Sequence, residues 1–428
     1  MTHPDHIHEL PGGLRLVHRY MPDSESVTIQ LFFGAGGRYE DFGREYGVSH
    51  FLEHLLFQGS QKYPTSKIIS EAVDGVGGYM NAYTTAELTT YYAKVPSEHF
   101  QKVADILVDL TLKPLFDPAQ IERERGVIIE EMNVWRDDPG QYVFDLVGDL
   151  LWPEDGLRTN VIGTEHTIRA LSREVIAGYH ASMYGPSNAV VAIAGNVPLE
   201  EAKDVIEKLF TEAQVTVQPR TFAPTRGQIT AAPVYIYHRN TNQTHLVLAG
   251  RGVSLRHHHE PALRMLSALL GAGMSSRLFH SVREEKGLAY TIFMGLTSFI
   301  DDGKWEVYAG VNNDKLIEAL EAIVVELRRA REASVSEAEL QRVKQQMRGR
   351  VIMGQETNGS VADRIGSELL LTHDVRSIDQ ILDEIDQVTT EDLHAAAQRY
   401  LDPSSMRLAL IGPHDNSARL AEILTNNH

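Results

Sequence analysis

Val48, Phe51, Leu52, Leu55 and Leu56 recur at i, i+3, i+4, i+7 and i+8, the spacing of a helix buried along most of its girth. His50, Glu53 and His54 fall outside that stripe and share a second face, because residues three and four apart on a helix are neighbours. Charged and polar side chains set directly beside large apolar ones need a buried partner. Two imidazoles one turn apart can grip a zinc ion through nitrogens about 2.0–2.1 Å from the metal, with the carboxylate between them placed to hold the water on it. The pattern is H-x-x-E-H, the inverse of the commoner H-E-x-x-H. The alternative is a helix whose polar face happens to carry two histidines. With 19 His in 428 residues, on the order of 0.1 such matches arise by chance. The apolar surroundings favour the metal, since a dication supplies the missing buried partner.

A chain of 428 residues is too long for one ordinary core and implies two domains of about 200 residues each. A net charge of −18 argues against a nucleic-acid or anionic-membrane partner, which require clustered Lys and Arg. It is compatible with basic peptide substrates, although an acidic balance also serves solubility alone. There is no cysteine, so neither a disulfide framework nor thiol catalysis is expected. The first residues show neither a signal-peptide nor a transit pattern, and no run approaches about 18 apolar residues. A cytoplasmic protein is the expectation, and a mature organellar protein stripped of its presequence would read the same.

Along the chain, residues 13–18 and 27–33 read as strands, 66–76 as a helix, and Tyr79–Thr84 with 88–95 as a strand pair. The glycine-flanked first strand of that pair is either an ordinary hairpin arm or a sheet edge to which an extended peptide could add. Phe100–Leu112 and 118–136 are amphipathic helices. Residues 189–195 form an apolar strand and 198–210 a helix. The polar stretch 213–228, with Pro219 and Pro224 and no periodicity, is the expected linker between a metal-binding domain at 1–212 and a second domain at 229–428.

The pattern then restarts, with 244–250 echoing the strand at 27–33, 260–270 replacing the motif helix, 303–309 replacing 88–95, and 336–347 replacing the helix at 118–136. Two weakly similar halves that alternate strands and helices imply a duplicated α/β (α+β) domain. The second copy has no histidine at the motif position and is expected to be metal-free.

A zinc held by two histidines needs a third protein ligand, commonly a glutamate. On the helix 118–136, Glu124 and Glu131 are separated by two turns and share one face, whereas Glu130 is rotated away by about 100°. One of that pair is the ligand candidate and the other stands behind it. Two further histidine groups, His3/His6/His8 and His257/His258/His259, lack helical spacing or a nearby acid and read as surface loops.

His50-Phe-Leu-Glu-His54, followed by Glu131 in the run Ile121–Met132, resembles the pitrilysin and mitochondrial-processing-peptidase family of inverzincins, in its two-domain subunit form. The likeness extends to Gly78–Thr84, to Gly163-Thr-Glu-His-Thr-Ile168 and to Tyr184-Gly-Pro-Ser-Asn188. Glu165-His166 departs from the family's more usual double acid. The resemblance implies that His50, His54 and Glu131 ligate one zinc ion, that Glu53 is the general base, and that Glu124 supports a ligand from behind. It implies a substrate strand lying along Gly78, Tyr79, Met80, Asn81 and Ala82. In the second half, Arg283 and Tyr290 match the family's Arg and Tyr pair, which contacts the substrate backbone and the oxyanion.

The expected fold is two similar domains, each a mainly antiparallel sheet packed with helices, together half of a four-domain clamshell. The expected function is a zinc metalloendopeptidase cleaving peptides or unfolded segments. Because the zinc motif and Arg283/Tyr290 lie on one chain, a homodimer is expected. The alternatives are a heterodimer with a separate noncatalytic partner and a noncatalytic core homologue. The latter would have lost His50, Glu53, His54 or Glu131, all of which are present.

Overall fold

The computed structural model describes residues 4–153, 155–157 and 160–425. They form two compact units: Met1–Asn133 with Asn160–Ala223 and Ile352–Ser377, and Val134–Thr159 with Pro224–Val351 and Ile378–His428. Up to the linker the elements are β1 (Asp5–Leu10), β2 (Leu14–Tyr20), β3 (Ser26–Phe33), α1 (Val48–Leu56), α2 (Ser66–Asp74), β4 (Tyr79–Thr84), β5 (Thr89–Pro96), α3 (Phe100–Leu112), α4 (Pro118–Asp137), α5 (Pro139–Leu151), α6 (Glu165–Ala170), α7 (Arg173–Met183), β6 (Ala189–Gly195) and α8 (Leu199–Ala213). After it come β7 (Val234–His238), β8 (Gln243–Arg251), α9 (Glu260–Gly271), β9 (Ala289–Ser298), β10 (Gly303–Asn312), α10 (Leu316–Glu332), α11 (Glu337–Met353), α12 (Asn358–Thr372), α13 (Ile378–Gln387), α14 (Thr390–Tyr400), β11 (Arg407–Gly412) and α15 (Ser417–Thr425).

In the first unit the strands run in the order β1-β2-β6-β3-β5-β4. Only β2 and β6 pair in parallel among the described residues. Alternation along β3 sends Val27, Ile29, Leu31 and Phe33 into one core with Val48, Phe51, Leu52 and Leu55 of α1 and the apolar face of α3. Each such large side chain contributes roughly 1.5–3 kcal/mol by leaving water, and this fixes α1 against the sheet. The opposite face of the sheet is also apolar. Phe32, Val190 and Ala192 pack there against Val361, Ile365 and Leu369 of α12. The approach is so close that a side chain at Gly366 would run into the Phe32 ring.

The second unit has the strand order β7-β11-β8-β10-β9, with β7 and β11 parallel. Helix α9 occupies the place that α1 holds in the first unit, and Leu263, Leu266 and Leu270 line its core side. The other face of this sheet is covered by α5, whose Phe144 stacks on Tyr308 at 5.5 Å between ring centroids. Each unit therefore contains a helix that lies, in sequence, on the far side of the linker. A boundary drawn at 212–229 does not anticipate this exchange, because either helix would satisfy the same local pattern wherever it packed. The physical cause is that an apolar sheet face must be covered on both sides.

Two local expectations are corrected. His6 and His8 are not in a loop but on β1, opposite His18 and Leu16 of β2. The strand is fastened where Arg19 donates to both carboxylate oxygens of Asp5 at 2.6 Å. His3 lies outside the described residues. A Gly59-Ser60 pair is a sequence signal for the end of helix α1, but the helix already stops at Leu56. Among the described residues no helix is long and apolar enough to cross a membrane.

Candidate metal centre

Helix α1 is held at its N-terminus by a residue that sequence reasoning missed. Glu40 is buried, and its two carboxylate oxygens accept the backbone N–H groups of Gly47 and Ser49 at 2.7 and 2.8 Å. It thus satisfies first-turn donors that have no partner within the helix. Gly47 itself sits at φ 94°, a left-handed conformation that favours glycine, and any side chain there would meet the Ile162 carbonyl and Gly163. Ser49 donates to the Tyr179 hydroxyl at 2.9 Å, tying α1 to α7. No periodicity marks Glu40, which lies in an irregular segment ahead of the helix.

With the apolar stripe of α1 turned to the core, His50 and His54 emerge on the side that faces α4. Nε2 of His50 is 3.8 Å from one oxygen of Glu131, and Nε2 of His54 is 3.2 Å from the other. Donor atoms of the three residues all lie within 4.8 Å of one another. Bonds of 2.0–2.1 Å in a tetrahedron put neighbouring ligand atoms about 3.3 Å apart. The observed separations bracket that value, so the residues fit one zinc ion with a position left open.

The ring of His54 is oriented from behind. Its Nδ1 stands 3.4 Å from a carboxylate oxygen of the buried Glu124. Such a partner accepts from Nδ1–H and so leaves Nε2 as the nitrogen that would bind a metal on losing its own proton. Glu130, next in sequence to Glu131, is exposed and takes no part in the group. Burial disfavours a charge on His54, but Glu124 and Glu131 overcome it and push the imidazole up to about 9. Burial and the neighbouring His54 push His50 down to about 4. The buried Nδ1 of His50 has no hydrogen-bond partner among the described residues. The Glu131 carboxyl is held below the usual range by its hydrogen bond from His54. The donor set is thus two imidazoles among carboxylates, an anionic cluster suited to a dication.

Glu53 lies one turn along α1 and is half-buried. Burial raises its carboxyl pKa, and a hydrogen bond from the Thr84 side chain works against that rise. Thr84 ends β4, which is the last strand of its sheet and pairs only with β5 among the described residues. The segment Gly78–Ala82 therefore runs along a free sheet edge beside the helix that carries Glu53.

Arg283 and Tyr290 belong to the second unit and are described separately. The register of β10 against β9 shifts between Gly310 and Val311, whose partners are Thr291 and Ala289. Tyr290 is the extra residue of that bulge and is 76% exposed. The Arg283 guanidinium, at the end of the π-helical turn Phe279–Glu284, stacks 5.4 Å from the Tyr290 ring centroid and 4.7 Å from that of Phe279. The two residues line a cleft of about 420 Å³ together with Gln243 and Asn312. His257, His258 and His259 sit in the turn before α9 with their rings gathered together. Nδ1 of His257 is already occupied by the His259 amide.

Comparison with known proteins agrees with this architecture. Residues 15–165 match the model of the insulinase family, peptidase family M16, and residues 170–347 match that of the peptidase M16 inactive domain. A protein of Streptomyces coelicolor named an uncharacterized zinc protease is 35% identical over 411 residues, covering 94% of this chain and 88% of the relative. The Bacillus subtilis protein YmxG, given the same description, is 32% identical, covering 95% and 97%. The crystal structure of a protease from Helicobacter pylori superposes with a TM-score of 0.90 at 21% identity, covering 96% of this chain and 100% of that one. A peptidase M16 inactive domain from Pseudomonas fluorescens does so with a TM-score of 0.88 at 17% identity, covering 96% and 98%. The chain belongs to peptidase family M16, the pitrilysin-like family, as a two-domain member.

Proposed function

We propose that this chain is a zinc endopeptidase that cleaves peptides or unfolded segments. The observation that carries the reading is the convergence of His50, His54 and Glu131 within 4.8 Å, on elements whose apolar faces lock them in place. Nε2 of His50, Nε2 of His54 and the Glu131 carboxylate hold the ion, and Glu124 keeps His54 in the competent tautomer. A bound zinc supplies Lewis-acid polarisation and acidifies water. Glu53 is the general base: its raised pKa makes it the stronger acceptor for the proton of the attacking water, which it then delivers to the leaving amine.

The substrate lies along the free edge of β4 beside Gly78–Ala82, gaining main-chain hydrogen bonds as an added strand. Arg283 and Tyr290 offer a guanidinium and a phenol to the substrate backbone and to the negative charge that develops on the scissile carbonyl. The family resemblance calls for four such domains and this chain supplies two, so the working enzyme is a homodimer in which Arg283 and Tyr290 act on the site of the other copy.

Glu53→Gln tests the reading. The amide cannot accept the proton but leaves the ligands intact, so the variant should keep its zinc and lose peptidase activity by about 10²-fold or more. Turnover near the native rate would refute the general-base assignment.

A further inference from the structure

On the α12 side of the first sheet, beside the strand edge, lies a cavity of about 340 Å³ that the reading above leaves without a role. Tyr79, Tyr83 and Tyr92 line it, with Asp363 of α12 and with Thr28 and Gln30 of β3. The rings of Tyr79 and Tyr92 stand at 88° to each other with centroids 6.5 Å apart, two perpendicular walls of an aromatic corner. The Tyr83 hydroxyl donates to Oδ1 of Asp363 at 2.6 Å, and Gln30 Nε2 donates to the same oxygen at 3.0 Å. Among the described residues no donor reaches Oδ2, and Asp363 is in no ion pair. Thr28, 1% exposed, also lines the cavity, and its buried hydroxyl has no hydrogen-bond partner among the described residues.

A half-buried carboxylate with one free oxygen, set among three tyrosine rings of which two stand perpendicular, makes the environment of an organic cation. Ring faces attract the charge, and the carboxylate neutralises it and accepts its N–H groups. We propose that this cavity binds the guanidinium or ammonium of a basic side chain. Side chains of a strand alternate between the two faces of a sheet, so a peptide added to β4 would present every second residue on the face that carries Tyr79, Asn81 and Tyr83. The cavity is then a recognition site for an Arg or Lys of the substrate, away from the metal centre. That assignment of the ligand to a peptide rests on the proposed peptidase function, whereas the cation site itself does not.

The test uses N-acetylarginine amide and its neutral counterpart N-acetylcitrulline amide, titrated into the full-length Glu53→Gln protein and followed by ligand-observed NMR. The arginine compound should bind and the citrulline compound should bind at least about 10-fold more weakly. Asp363→Asn should raise the Kd for the arginine compound by about 10-fold or more. That substitution keeps an oxygen for Tyr83 and Gln30 while deleting the charge. Tyr79→Ala, at an exposed position, should raise it about 3- to 10-fold. Equal binding of the two compounds, or a Kd unchanged in Asp363→Asn, would overturn the proposal. Because turnover is not read, a failed cation site and a failed peptidase reading are told apart.

Discussion

The carboxylate of Glu124 reaches Nδ1 of His54 at 3.4 Å, on the side of the ring opposite the Nε2 that meets Glu131 at 3.2 Å. One helix thus contributes both the carboxylate proposed to share the metal position and the one proposed to orient a histidine toward it. The helical phase that unites these two acids is the same phase that sends Glu130 outward.

The three acids of α4 should therefore separate cleanly. Glu131→Gln is expected to lose most zinc affinity, Glu124→Gln to weaken it by about 10–100-fold, and Glu130→Gln to change it little. Metal content and competition with a chelator, measured on the three purified variants, check this. Loss of zinc in the Glu130 variant with retention in the Glu131 variant would reverse the assignment.

The proposed sharing of the site between two copies predicts complementation. Glu53→Gln and Tyr290→Phe homodimers should each be impaired, while a mixed dimer has one site carrying both defects and one carrying neither. Mixing the inactive proteins under subunit exchange should recover activity, up to about half the native rate per mixed dimer if the sites are independent. No recovery despite demonstrated exchange would mean that each site is completed within one chain.

Glu40 makes the stability of the scaffold depend on pH. Burial pushes its carboxyl up to about 7 from an ordinary value of 4.5. A folded-state value above the unfolded one means that the folded chain holds the proton more tightly. This contribution is full below about pH 4.5 and is lost as pH rises through about 7, with an upper size of roughly 3 kcal/mol at about 1.4 kcal/mol per pKa unit. The stability advantage of the native protein over Glu40→Gln should therefore shrink between pH 5 and pH 8 in denaturant titrations. An advantage that grows with pH would show that the two amides of the first turn, not burial, govern the group.

Much of this was legible in the sequence because it depends on local periodicity. The apolar stripe of α1 and the phase of Glu124 with Glu131 follow from 3.6 residues per turn, and the structure places those side chains together. The bounds of α3 and β6 coincide with the runs of apolar residues that form them. What was not legible depends on distant contacts. Neither α5 nor α12 announces which sheet it will cover, since amphipathicity specifies a buried face but not its partner. β1 went unseen because its alternating His6, His8 and exposed Ile7 resemble a polar terminus until β2 supplies the pairing. Asp363 acts through partners far along the chain, and Glu40 reaches the nearby first turn of α1 from an irregular segment, positions that no short motif marks.

The central claim is that His50, His54 and Glu131 hold a zinc ion on which peptide cleavage depends. The most direct measurement is cleavage of an unfolded polypeptide, read by mass spectrometry, on protein stripped by a chelator and then titrated with zinc. The account predicts no cleavage without metal, recovery complete at one zinc per chain, and no recovery in His54→Ala. Undiminished cleavage by the stripped protein, or full recovery in His54→Ala, would contradict it.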